Sequence, residues 1–356
     1  MSGNENKPLG VGLIGCGDIA PAHAKGLAAS AGARLVACMD VAEASARSLG
    51  EEWGVPWTTD AAELLSRPEV EAVTVATPAF THADLAGQAA RAGKAVVCEK
   101  PIAPDLPDAD GLITACREAG VALATCFPVR YLPEACWLRG LVQAGALGEI
   151  IGVRLRSLSE KQESYWTGGY SGRTRTEWRR SRAASGGGVV ITNLIHNIDL
   201  TWFITGLEVA RVAAEAGTFC TPVEVEDMAL ACLRYRNGAI GLVDGSSCWF
   251  GGDPGWHVQI LGTRGQARTM LFGRAEVFLT EPAEGLAARK WIPAPTPDRA
   301  AADQSRHAAF YDDFARAVRA GESPPITGED GRRALEVCVA IYRAAERGRP
   351  VELPLQ

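Results

Sequence analysis

The chain has 356 residues, 47% hydrophobic and 22% charged, with a net charge of -6. That length predicts two domains with sizeable cores, and the acidic balance excludes nucleic acid or an anionic membrane as the main partner. Residues 1–8 are polar and lack the apolar core of a secretory signal, and no apolar run approaches the roughly 18 residues of a membrane span.

An apolar strand over residues 9–14 runs into Gly15-Cys16-Gly17-Asp18-Ile19-Ala20, and a helical run over 22–31 follows. This is G-x-G-x-x-A between strand and helix. Gly15 allows the tight turn, Gly17 lets a pyrophosphate approach the backbone, and Ala20 is small enough for helix against strand. Asp18 and Ile19 lie in the same turn, where the helix start offers N–H groups to phosphate. A second strand, 34–39, ends in Asp40, roughly 25 residues after Gly15 and near the spacing of a ribose-binding acid. A carboxylate there repels a 2′-phosphate, and no arginine follows it directly, so NAD is expected rather than NADP. A third strand, 70–76, ends in Thr77-Pro78, which can line the nicotinamide side of a cleft. His82 follows and helps to start a helix over 83–92.

The next strand delivers Cys98-Glu99-Lys100-Pro101, before a helix over 106–119 and a strand over 121–126. Ligands bind outside the carboxyl ends of strands in such sheets, which is where Lys100 stands. Pro101 fixes the backbone there, with a cis bond as one option. A lysine partly shielded from water beside a nicotinamide has a lowered pKa and suits proton transfer. Residues 1–127 therefore read as a doubly wound parallel sheet, an α/β Rossmann domain.

Residues 128–356 read as an α+β domain with an open antiparallel sheet. Residues 127–131 cross into it, a helix spans 132–144, and strands are expected over 150–158, 209–219, 228–235, 239–247 and 257–261. Asn237-Gly238 marks a hairpin turn. The loop 159–184 carries Tyr165, Trp166, Tyr170 and Trp178, with six basic residues against three acidic ones. Its cations suit a substrate carboxylate or phosphate, or pairing across an interface, and Trp178 and Arg179 are the substrate-binding candidates. Gly186-Gly187-Gly188 precedes a helix over 189–206, on which Thr192, His196 and Asp199 fall in one polar stripe. Helices over 306–319 and 329–348 close the chain, and His257 and His307 read as structural. Ten cysteines without a C-x-x-C pair argue against a metal site and for a reducing cytoplasm.

Together, G-x-G-x-x-A, Asp40, Thr77-Pro78 with His82, Glu99-Lys100-Pro101 and the H-x-x-D of His196 and Asp199 resemble the glucose–fructose oxidoreductase/inositol dehydrogenase (Gfo/Idh/MocA) family. The resemblance implies an NAD-dependent oxidoreductase acting on a secondary alcohol or ketone of a sugar, polyol or sugar acid, and a homo-dimer or homo-tetramer. It assigns catalysis to Lys100 and His196. Gly15, Gly17, Asp18, Ile19, Asp40, Thr77, Pro78, His82, Glu99 and Lys100 would hold the cofactor. Lys100, Trp178, Arg179, Thr192, Asn193, His196 and Asp199 would hold the substrate. One departure stands out: Thr192, followed by Asn193, occupies the place of an aspartate that many family members carry. Asp199 is then left either to support His196 or to pair with a backbone group. An NAD-retaining glycosidase and a non-catalytic nicotinamide-binding protein are the rival readings.

Overall fold

The computed structural model describes residues 7–251, 255–271, 273–295 and 299–355, without the side chains of 299–305. Residues 1–6 of the polar start lie outside the described residues. The chain first alternates strand and helix: β1 (Leu9–Ile14), α1 (Ala20–Ala29), β2 (Ala33–Met39), α2 (Glu43–Trp53), β3 (Trp57–Thr58) and α3 (Ala61–Ser66). The alternation continues through β4 (Ala72–Val75), α4 (His82–Arg91), β5 (Ala95–Cys98), α5 (Leu106–Glu118) and β6 (Leu123–Thr125).

These six strands form one parallel sheet in the order β3-β2-β1-β4-β5-β6. Every residue of β1, β4, β5 and β6 is buried. Helices cover both faces of such a sheet, which is why its strands are continuous apolar runs. The strand order reverses between β1 and β4, so the turns after these two strands flank the crevice where an open α/β sheet binds its ligand.

The remaining elements begin with α6 (Pro133–Gln143), β7 (Ile150–Leu158), α7 (Glu163–Gly168), α8 (Arg182–Ser185) and α9 (Ile195–Thr205). Strands β8 (Val209–Gly217), β9 (Met228–Tyr235), β10 (Ile240–Ser246), β11 (Val258–Gly262), β12 (Gly265–Met270), β13 (Arg274–Leu279) and β14 (Trp291–Pro293) follow. The chain closes with α10 (Arg299–Ala320), α11 (Gly328–Arg347) and β15 (Val351–Glu352). The second sheet has nine strands in the order β14-β13-β12-β11-β7-β10-β9-β8-β15.

That sheet departs from the expected meander at its centre, where β7 and β10 run parallel. No hairpin ties β7 to its neighbours in sequence. The chain leaves β7 for a long excursion and returns only at β8, which frees β10 to pair with β7 in the parallel sense. Along β9 exposed and buried residues alternate without a break, as expected of a strand with one covered face. The outer face carries Met228 and Leu230 of β9 and Ile240 and Leu242 of β10, all exposed.

The chain forms two compact units, and neither is a continuous stretch. The first comprises the residues up to Pro128 together with Glu163–Gly186 and Gln304–Arg333; the second comprises Val129–Gln162, Gly187–Asp303 and the residues from Ala334.

Candidate active site

In the first unit the turn after β1 is shaped by contact. Gly15 has φ +98°, and an added Cβ would lie 2.7 Å from the Ala76 carbonyl oxygen. Only glycine fits this turn. An added Cβ at Gly17 would meet nothing nearer than Thr174 Oγ1 at 3.8 Å, so backbone there is open to approach. Helix α1 starts without a side-chain cap and without an acidic residue in its first turn. That combination fits the anionic pyrophosphate of a dinucleotide. Asp40 is fixed at the end of β2, accepting from the Cys16 N–H at 2.8 Å and from the Ala42 N–H at 2.9 Å.

Asp18 and Arg179 have further work within this unit. The Asp18 carboxylate accepts from the N–H groups of Tyr170 (2.9 Å) and Ser171 (2.7 Å), and Arg179 lies 3.8 Å away. Asp18 thus pins residues 163–186 to the glycine turn. Arg179 also stacks on the rings of Trp178 and Tyr165. From the same segment Arg173 reaches Ser48 at 3.3 Å and Glu52 at 3.5 Å on α2, a cation near the end of β2 that its place in the sequence did not reveal.

His82 bridges two strand ends. Its Nδ1 lies 2.9 Å from the Pro101 carbonyl oxygen and its Nε2 2.8 Å from that of Thr77. Burial lowers its pKa against the pull of these carbonyls. Thr81 Oγ1 ties down the same turn through Thr77 Oγ1 and the Pro78 carbonyl.

Beyond β5 the Lys100–Pro101 peptide is cis. Glu99 is 7% exposed and points inward. One oxygen meets His23 Nε2 at 3.0 Å and the other accepts from the Lys100 backbone N–H at 3.0 Å. Burial would raise its pKa, but His23, Lys100 and His307 together lower it to about 2. Half-buried Lys100 is pushed below the usual lysine range, chiefly by burial and further by Arg179, against the attraction of Glu99. His307, expected to have no chemical neighbour, stands edge-on to His23 at 5.5 Å between ring centres. Burial, His23 and Arg306 push its pKa down to about 3.

Thr192, Asn193, His196 and Asp199 belong to the second unit. The single helix expected over 189–206 is divided: residues Val190–Leu194 form a π-helical turn, and α9 begins at Ile195. Such turns are frequent at functional sites. Thr192 Oγ1 donates to the Gly188 carbonyl at 2.6 Å and lies 3.0 Å from Asn193 Oδ1. Thr192, Asn193 and His196 are half-exposed, whereas Asp199 is 3% exposed. The Arg130 guanidinium binds both Asp199 oxygens, with Nε at 2.9 Å from Oδ2. Arg130 in turn stacks near Trp202 and Phe203.

The glycine run is explained by what it touches. A Cβ at Gly187 would lie 2.1 Å from Tyr342 Oη, and one at Gly188 would lie 1.8 Å from the Glu226 carbonyl oxygen. The Glu226 side chain accepts from the N–H groups of Gly188 (2.7 Å) and Val190 (2.9 Å) and from Tyr342 Oη (2.9 Å). Burial raises its pKa against those hydrogen bonds. Neither Glu226 nor Tyr342 carries a local motif, so only the crowded glycines hinted that something packs against them.

Two family descriptions match the chain, and between them they span most of it. "Oxidoreductase family, NAD-binding Rossmann fold" matches residues 9–127, and "Oxidoreductase family, C-terminal alpha/beta domain" matches 139–353. Myo-inositol 2-dehydrogenase of Thermotoga maritima is 28% identical over 96% of this chain and 98% of its own. The scyllo-inositol 2-dehydrogenase (NAD+) of Bacillus subtilis is 26% identical over 97% and 96%. The WlbA dehydrogenase of Bordetella pertussis, solved with NADH and UDP-GlcNAcA, superimposes with a TM-score of 0.84 at 25% identity, covering 99% of both chains. The chain belongs to the Gfo/Idh/MocA oxidoreductase family. Residues 9–127 are the family's NAD-binding domain, and the open glycine turn, uncapped helix and fixed Asp40 are a fitting seat for that cofactor.

Proposed function

We propose that the protein is an NAD-dependent dehydrogenase for a secondary alcohol of a sugar, polyol or sugar acid, working in either direction. The observation that carries this is Lys100, delivered by β5 at the carboxyl end of a parallel sheet whose glycine turn fits a dinucleotide. The relatives named above act on inositols or bind a sugar nucleotide, which supports the substrate class. When bound, the nicotinamide supplies the acceptor or donor of hydride. Lys100 hydrogen-bonds the reacting oxygen and stabilises its developing negative charge. His196 takes or gives the hydroxyl proton. Trp178, Arg179, Thr192 and Asn193 orient the substrate's other hydroxyls. The glycosidase and non-catalytic readings draw no support from these relatives.

A homo-dimer or homo-tetramer is part of the proposal, and the exposed apolar side chains of β9 and β10 support it. No described helix is long and apolar enough to cross a membrane. Ten free thiols support a cytoplasmic setting.

Titration with NADH and NADPH, followed by an NAD-coupled screen of polyols and sugar acids, tests the proposal. NADH is expected to bind at least about tenfold more tightly, a difference of about 1.4 kcal/mol. Asp40→Ser is expected to shrink that preference. Binding of neither nucleotide would end the proposal.

A further inference from the structure

Behind the strand end that presents Lys100 lies a buried polar chain drawn from four separate stretches of sequence. Thr74 Oγ1 of β4 lies 2.8 Å from Tyr311 Oη of α10, which lies 2.8 Å from His23 Nδ1 of α1. His23 Nε2 lies 3.0 Å from Glu99, and the other Glu99 oxygen holds the Lys100 backbone N–H. Buried polar groups are costly unless fully partnered, and here each hydroxyl, ring nitrogen and carboxylate oxygen has its partner. Cys126, just after β6, and His307 of α10 complete the surroundings of the carboxylate. His23, Cys126 and His307 also stand close enough to hold a metal ion, but both ring nitrogens of His23 are committed to Tyr311 and Glu99.

Among the groups acting on Lys100 are Glu99, Arg179 and Cys126. Burial and Arg179 both favour the neutral amine, and the adjacent Glu99 carboxylate, bonded to the Lys100 backbone N–H, opposes them. We propose that Glu99, clamped from behind by His23, Tyr311 and Thr74, is a positioning residue that keeps Lys100 an ammonium ion at neutral pH. The inference deepens the reading given above and rests on Lys100 being the group that meets the reacting oxygen. It also divides the labour: a lysine held as ammonium donates to the developing alkoxide, and the proton is left to His196.

The chain has six lysines, few enough for their side-chain resonances to be followed one by one in protein labelled with ¹³C and ¹⁵N lysine. Lys100→Met identifies the Lys100 signal. In the wild-type protein Lys100 is expected to be charged at pH 7 and to lose its proton above it. In Glu99→Gln its pKa is expected to fall by about one unit or more, whereas Glu99→Asp, which keeps the charge, stays much closer to wild type. The alkaline limb of kcat/KM moves to lower pH with it, because activity is lost as pH rises through the Lys100 pKa. An unchanged Lys100 titration in Glu99→Gln overturns the proposal. So does a wild-type Lys100 already neutral at pH 7, a result that needs no variant to fold. Undiminished turnover in Lys100→Met would instead remove the reading beneath it while leaving the titration intact.

Discussion

Two buried glutamates hold the two halves of the candidate machinery, and they are held in opposite ways. Glu99, in the first unit, faces His23, Lys100 and His307, and its carboxyl is lowered to about 2. Glu226, in the second, faces two backbone N–H groups and a tyrosine hydroxyl, and burial leaves its pKa raised. One residue type at similar depth therefore does two jobs. Beside a lysine it is a counter-charge that sets the state of a neighbour; among neutral donors it is a brace that fixes backbone. The neighbours decide, not the burial.

The sharpest break of that comparison is functional. Lys100→Met and His196→Ala are each expected to lower turnover by about two to four powers of ten, with NADH binding changed far less. Steady-state kinetics with a separate nucleotide titration reads both, and near wild-type rates in both variants would leave the proposed chemistry without its agents.

Asp199 extends the same question to a third buried carboxylate. Both of its oxygens are taken by Arg130, so Asp199→Ala is expected to cost about 3–5 kcal/mol of stability by leaving a buried guanidinium without its counter-charge. Urea unfolding measures this. A normal unfolding midpoint combined with a raised KM would favour direct substrate contact by Asp199.

The two glutamates should also respond to pH with opposite sign. A lowered folded pKa gives Glu99 a stabilising contribution that is present above the unfolded value of 4.5 and is lost as pH falls towards about 2. A raised folded pKa gives Glu226 a contribution that is present below its unfolded value and is lost as pH rises through the folded one. Denaturant midpoints from pH 3 to 8 should therefore show Glu99→Gln losing ground to wild type as pH rises and Glu226→Gln gaining it. Parallel curves for the two variants would dissolve the distinction.

The smallest expected effect concerns Asp18. Asp18→Ala should release residues 163–186 from the glycine turn and speed amide exchange at Tyr170 and Ser171 about tenfold, roughly 1.4 kcal/mol, with global stability little changed. Unaltered exchange would mean the segment is held by Arg173 and its aromatic contacts instead.

What could be read from the sequence was whatever is consecutive. The glycine turn, Asp40 and Glu99-Lys100-Pro101 are short runs at strand ends, and continuous apolar strands announce a sheet covered on both faces. Helix α9 was legible by period, although the π-helical turn that opens it was not. The supports escaped because they come from far along the chain. Tyr311 reaches His23 across 288 positions, Glu226 reaches Gly188 across 38, and Arg130 reaches Asp199 across 69. No period or spacing encodes such meetings. The parallel pairing of β7 with β10 was hidden for the same reason, since strand direction after a long excursion is settled by packing rather than by a turn.

The interleaving of the two units sets the order in which this protein can mature on the ribosome. The nucleotide-binding strands are all synthesised by residue 125, but Tyr311, which closes the polar chain behind Glu99, emerges almost two hundred residues later. Until then Glu99 and His23 lack part of their enclosure. A fragment ending near residue 127, or a chimera joined there to the second half of a distant relative, would carry the whole parallel sheet and still lack the parts that complete it.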